Sequence, residues 1–149
     1  MIRTLSRGDI AEVKKIADVL PEWFTEEGRS MIERDARYQF GFISEEESEI
    51  VGFLTYFVNQ GIAHIGWMGI LPGCQRQGIG SALLNALVGD MKFAGVTIIE
   101  VSTLGDSVHY PPYDRSRNFY YKMGFVEHER KLHDSASMPE ELILRYTIV

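Results

Sequence analysis

Gln75-Arg76-Gln77-Gly78-Ile79-Gly80-Ser81-Ala82-Leu83-Leu84 decides how this chain is read. It joins an apolar strand pattern to an amphipathic helix pattern, with two glycines at the junction. Glycines there remove side chains and leave bare backbone N–H groups facing outward. The first N–H groups of a helix lack internal partners, and the helix dipole adds positive potential at that end. An anion, most often a phosphate, is the natural guest. Two common phosphate motifs fail against the stretch. Gly73 and Gly78 have P-loop spacing, but Ile79 and Gly80 stand where Lys and Ser or Thr are needed. A dinucleotide fingerprint needs a third glycine at position 83, which is Leu83, and a place at the start of a first βαβ unit.

What remains is a Gln-x-x-Gly-x-Gly pyrophosphate loop. Ile70-Leu71-Pro72 followed by Gln75 to Leu84 resembles motif A of the GNAT N-acetyltransferase superfamily, which binds the pyrophosphate of acetyl-CoA. Phe119-Tyr120-Tyr121-Lys122-Met123-Gly124-Phe125 resembles the Phe-Tyr-x-Lys-x-Gly-Phe motif near the C-terminus of that family. The two occur in the family's order, separated by a helix and a strand, and the likeness is strongest over residues 50–126. It implies an α+β fold, a central mixed and mostly antiparallel sheet flanked by helices on both faces, as one domain over residues 1–149. It also implies acetyl-CoA as cosubstrate and direct attack by a primary amine, with no acyl-enzyme and no metal.

Composition bounds the alternatives. The 149 residues suit one domain with a core of its own. The one cysteine, Cys74, allows no internal disulfide and no cysteine-based metal site, which fits a reducing compartment; His128 and His133 have no metal-ligand pattern. The N-terminus lacks a signal-peptide pattern, and no apolar run reaches the ~20 residues of a membrane span. A cytoplasmic protein is expected. The net charge of −6 disfavours nucleic acid and is compatible with a cationic amine substrate.

The pattern along the chain gives a strand at 2–5 and a capping box at Ser6-Arg7-Gly8-Asp9. A helix follows on Ile10, Val13, Ala17 and Leu20 as far as Pro21, then a second from Thr25 to about Ala36. Strands are expected at 38–43, 50–58 and 62–71, with turns at 44–48 and 59–61. Gly78 to about Phe93 is the clearest helix, with Ile79, Ala82, Leu83, Ala86, Leu87 and Met91 as its apolar face and Gly95 as its stop. A strand at 96–101, a short helix at 115–123 and strands at 125–131 and 142–149 complete the chain. Gly66 and Gly69 interrupt the third meander strand, where glycine marks a bulge or a close backbone approach. In the resembled family this strand is bulged and splays from the next, opening a V for the pantetheine arm.

The resemblance assigns Tyr120 as general acid toward the CoA sulfur. A phenol with pKa about 10 stays protonated at neutral pH and can donate to a thiolate. Tyr121 faces elsewhere on the helix. For the base, the strand before motif A offers His64 and no carboxylate; Glu100 on the next strand is a rival, and water is a third choice. Ile70, Leu71, Gln75, Arg76, Gln77, Gly78, Ile79, Gly80 and Ser81 are expected around the pyrophosphate, with Asn118, Phe119 and Lys122 as further cofactor contacts. Residues 102–114 form a longer connection than is usual in the family, without its common asparagine. Asp106, His109, Tyr110, Tyr113 and Asp114 there could bind an amine, shape a lid, or simply stiffen a surface loop. Trp23 and Phe24 lie between the first two helices, which line the acceptor pocket in this fold or pack the core. The acceptor is expected to be a small-molecule amine. A protein amine, or an acyl-CoA sensor without catalysis, is the alternative, and the last strand could pair between subunits of a homodimer.

Overall fold

Every residue from Met1 to Val149 is described by the structure, a computed structural model. Seven strands form one open sheet: β1 (Ile2–Thr4), β2 (Phe40–Glu46), β3 (Glu49–Asn59), β4 (Ile62–Ile70), β5 (Ile98–Leu104), β6 (Val126–Leu132) and β7 (Glu140–Thr147), in the order β1-β2-β3-β4-β5-β7-β6. Every neighbouring pair is antiparallel except β4 and β5. The mixed, mostly antiparallel sheet expected from the sequence is therefore present. Both meander turns are tight, and Glu47, Ser48, Gln60 and Gly61 all take the positive φ that such two-residue turns require.

Helices α1 (Ile10–Asp18) and α2 (Glu26–Tyr38) cover one face of the sheet. Val13, Ile16, Ala17 and Leu20 pack with Phe24, Ile32, Ile43 and Phe53 into one core. The predicted capping box forms: the Ser6 backbone N–H donates to Asp9 Oδ2 at 2.8 Å. Residues Arg7–Asp9 add a single 3-10 turn before α1. Thr25 caps α2 as expected, its Oγ1 accepting from Gly28 N at 3.0 Å.

The other face carries α3 (Ile79–Ala94) and α4 (Pro111–Lys122). Leu83, Leu84, Leu87 and Met91 of α3 share the larger core with Leu54, Ile99, Leu144, Tyr120 and Phe125. The buried face of α3 includes Leu84 and leaves Ala82 exposed, a rotation of the stripe read from the sequence. Gly95 ends the helix in the left-handed region at φ 82°. No helix is long and apolar enough to cross a membrane.

Helix α4 starts four residues before the position read from the sequence, because Pro111 and Pro112 occupy its first turn. Proline is favoured there, since its missing N–H would be unpaired anyway and its φ suits a helix. The long connection read at 102–114 is thus only residues 105–110, its ends being strand and helix.

Candidate functional site

β4 and β5 pair over only Ile62↔Ile98, Ala63↔Ile99 and His64↔Glu100. Beyond His64, β5 stays with β7 as far as Leu104, while β4 runs on to Ile70 beside β3. The two parallel strands therefore separate, and the β5-facing edge of β4 has no strand partner over residues 65–70. A bulge lies at the fork: Leu54 pairs with Met68 and Tyr56 with Ile65, so Gly66 and Trp67 stand opposite Thr55 alone. The Thr55 hydroxyl satisfies the displaced backbone by accepting from Trp67 N at 2.9 Å. Gly69 allows the second close approach, since a Cβ there would lie 2.9 Å from the Phe53 ring and 3.2 Å from Leu20.

The mouth of the fork opens into a cavity of about 710 Å³. From the strand come Met68, Gly69 and Ile70; from the loop and start of α3 come Gln75, Arg76, Gly78, Gly80 and Ser81. Helix α4 supplies Arg115, Ser116, Asn118, Phe119, Tyr120 and Lys122, and the α1–α2 side supplies Leu20, Trp23 and Phe24.

At the α3 end, Arg76 and Gly78 adopt left-handed φ values of 62° and 81°, which fold the loop onto the helix start. The Gln75 amide braces the turn by donating to the Ile70 carbonyl at 3.1 Å. Gly78 is the N-cap, and no side chain caps the helix. The leading N–H groups of α3 are thus left for an external acceptor. Gly80 is buried, and a Cβ on it would sit 3.2 Å from Ile70, 3.3 Å from Met68 and 3.3 Å from Phe119. The loop is therefore shaped for close backbone approach, and Arg76 and Lys122 add positive charge beside it.

Tyr120 stands in the cavity wall on α4, buried between Phe119 and Phe125 with edge-on ring contacts at 5.2 and 5.3 Å. Its hydroxyl reaches the Met68 sulfur at 3.9 Å. Burial pushes its phenol well above the ordinary tyrosine range, so the hydroxyl keeps its proton at neutral pH. Tyr121 is exposed and does not line the cavity.

Five of the residues named from the sequence as base or cofactor contacts are not brought to the cavity. His64 stacks on Phe57 at 4.9 Å and places Nδ1 3.3 Å from Glu100 Oε1, below the fork where the strands are still paired. Glu100, the rival base, is held by Arg145 at 2.8 Å as well. Ile79 turns its side chain into the core, Leu71 packs against both cores, and Gln77 is an exposed loop residue whose amide donates to the Gly73 carbonyl at 3.4 Å. In their place the cavity takes Leu20, Met68, Gly69, Arg115 and Ser116.

The 105–110 connection and the start of α4 fasten the α1–α2 segment. Tyr110 Oη donates to the Glu22 carbonyl at 2.6 Å, Tyr113 Oη to the Trp23 carbonyl at 3.1 Å, and Trp23 Nε1 to the Pro112 carbonyl at 3.0 Å. Asp106 pairs with Arg130, and Asp114 with the buried Arg117, whose guanidinium also donates to the Leu104 carbonyl. None of the five residues considered as amine ligands lines the cavity. Tyr110 and Tyr113 are braces, and the two aspartates neutralise arginines.

The comparisons agree with this architecture. A family model described as the acetyltransferase (GNAT) family matches residues 10–125. A GNAT-family protein of Desulfovibrio desulfuricans superposes with a TM-score of 0.88 at 19% identity, covering 100% of this chain and 99% of that one. The ribosomal-protein-S18-alanine N-acetyltransferase of Escherichia coli superposes with a TM-score of 0.78 at 18% identity, covering 99% and 93%. An aminoglycoside 6'-N-acetyltransferase complexed with coenzyme A gives 0.80 at 14% identity, covering 100% and 97%. No functionally curated protein matches by sequence. With a splayed β4–β5 fork, an uncapped glycine-led helix at its mouth and a family match across most of its length, this chain belongs to the GNAT acetyltransferase family.

Proposed function

We propose that the chain transfers the acetyl group of acetyl-CoA to the primary amine of a small molecule, by direct attack within a ternary complex. The observation that carries this is the convergence of three features on one cavity: the uncapped start of α3, the unpaired edge of β4 and the buried Tyr120 hydroxyl. Family membership supports acetyl-CoA as the donor.

Acetyl-CoA would supply an acetyl group already activated as a thioester. Its pyrophosphate suits the N–H groups of Gly78, Ile79, Gly80 and Ser81, with Arg76 and Lys122 as counter-charges. Its amide-bearing arm suits the free N–H and C=O groups of β4 over residues 65–70, which have no strand partner. Asn118 and Phe119 line the same wall. Tyr120 holds its proton at Oη and delivers it to the departing sulfur, restoring a neutral thiol. The attacking amine loses its proton to solvent, since neither His64 nor Glu100 lines the cavity. Positioning of amine and thioester does the remaining work, with no nucleophile of the protein's own required.

A small-molecule acceptor fits the braced Trp23 segment, which walls the acceptor end on one side. A protein acceptor predicts acetylation of peptide N-termini in preference to free amines. The test begins with thermal stabilisation by acetyl-CoA, with ATP and NAD as controls, because a ligand of the native state must raise its stability. Thiol release with a panel of amines and N-terminal peptides follows. Stabilisation by acetyl-CoA alone, with release on small amines, is expected; no stabilisation would overturn the reading.

A further inference from the structure

We propose that the acceptor carries an anionic group, a carboxylate or a phosphate ester, that is bound by Arg115 on the face of Trp23. This rests on the acetyl-transfer reading and narrows its substrate.

The chain has 21 acidic against 15 basic residues, yet no Asp or Glu lines the cavity. Its charged lining is Arg76, Arg115 and Lys122. None of the three is ion-paired, whereas every arginine outside the cavity except Arg7 has a carboxylate partner. The cavity thus concentrates positive charge that the protein itself does not neutralise. Arg76 and Lys122 lie at the start of α3 and the end of α4, where cofactor phosphates account for them. Arg115 is left over. It lies about two helical turns, on the order of 10 Å, from Lys122 along α4, at the end walled by Trp23. Its guanidinium sits 5.3 Å from the Trp23 ring centroid. The indole is itself fixed by its N–H donation to Pro112, and the adjacent Asp114 is taken by Arg117.

A guanidinium stacked on a fixed indole keeps its edge N–H groups free for a planar or tetrahedral anion and stays charged at any working pH. An acceptor with a second cation would meet Arg115 with no carboxylate in the cavity lining to offset it. The net acidity of the chain, which from the sequence is compatible with a cationic substrate, is reversed at the cavity itself.

The test measures acetyl-CoA-dependent thiol release on matched amines. Phenylalanine is set against phenylalaninamide, O-phosphoethanolamine against ethanolamine, and kanamycin serves as a polycation. The anionic member of at least one pair should have a kcat/KM at least about tenfold above its neutral partner, and the pair that responds identifies the anion. Arg115→Gln should raise the KM for that acceptor by about ten- to a hundredfold, the usual worth of a charged hydrogen bond. It should leave stabilisation by acetyl-CoA unchanged, and Arg115→Lys should recover part of the loss. Where no panel amine turns over, the readout is stabilisation of the CoA-saturated protein by the acids and its loss in Arg115→Gln. Equal use of acids and neutral partners, preference for kanamycin, an Arg115→Gln defect that moves the KM for acetyl-CoA instead, or no acid-specific effect in either readout would each overturn the proposal. Failure of the enzyme reading itself is separately visible as a missing acetyl-CoA shift.

Discussion

The Tyr120 hydroxyl lies 3.9 Å from the Met68 sulfur, a contact that joins α4 to β4 across the fork of the sheet. A thioether is a weak acceptor, so the buried phenol is only lightly engaged and its proton remains available. Tyr120→Phe therefore removes a proton donor while sacrificing little packing or hydrogen bonding. We expect kcat to fall by about a hundredfold, in the range typical of a lost general acid. The KM for acetyl-CoA and the melting temperature should be close to unchanged. A variant that turns over as fast as the parent would remove Tyr120 from the chemistry.

His64 and Glu100 face each other at 3.3 Å where β4 and β5 are still paired, with Arg145 closing the group. This cluster ties the base of the fork together and does not reach the cavity. His64→Asn is expected to keep kcat within about twofold of the parent, because its side chain does not line the cavity, even if it lowers stability through the Glu100 contact. A drop of about a hundredfold or more in kcat would instead return His64 to the role of base.

The elements that were legible in the sequence are those whose signals are local. Gly78 and Gly95 bracket α3 because each needs the left-handed backbone, and both adopt it. The meander follows from its two turns, at 44–48 and 59–61. Gly66 and Gly69 mark β4 as the site of a bulge or close backbone approach, and the fork itself comes from the family resemblance. Residues 111–114 were misread because consecutive prolines look like a stiff loop, although the first turn of a helix accepts them. His64 suits a base by residue type alone: it lies four residues before Met68, the first β4 residue to line the cavity. The Trp23 wall of the cavity is invisible in the sequence for a different reason. Trp23 meets Pro112 across 89 positions of sequence, and no periodicity within either segment reports that contact.

Acid stability rests on a second local cluster. Arg3 donates to Asp9 at 2.9 Å and to Glu45 at 3.0 Å, holding the Asp9 carboxyl down at about 2. A carboxylate whose native pKa is depressed stabilises the fold above its unfolded value, near 4, and that stabilisation drains away as pH falls toward 2. Asp9→Asn keeps an oxygen for the Ser6 N–H but loses the charge. At pH 7 we expect it to cost roughly 1–2 kcal/mol, after allowance for the partly open Arg3 side chain. Urea unfolding of both proteins at pH 7 and pH 2 checks this. The difference should nearly vanish at pH 2, and a pH-independent cost would mean that shape, not charge, is what Asp9 contributes.

The bracing of the α1–α2 segment by α4 is built from contacts separate from the α3 loop, so under the proposed function it should affect acceptor binding and not cofactor binding. Tyr110 and Tyr113 each spend a hydroxyl on a backbone carbonyl beside Trp23, and Trp23 returns one from its indole. The wall that holds Trp23 beneath Arg115 is therefore pinned from α4, while the phosphate end is built by α3 and its loop. Removing both hydroxyls in Tyr110→Phe/Tyr113→Phe deletes two such bonds and leaves both rings in place. Each net bond contributes about 0.5–1.5 kcal/mol. If that sum is felt only by the acceptor wall, the KM for the amine should rise by about fivefold or more. The KM for acetyl-CoA should move by less than about twofold, because none of the three contacts touches Gly78, Gly80 or Tyr120. Steady-state kinetics with each substrate varied in turn resolves the two effects. A parallel rise in both KM values would mean that the segment supports the whole cavity and that acceptor and cofactor ends are not mechanically separate.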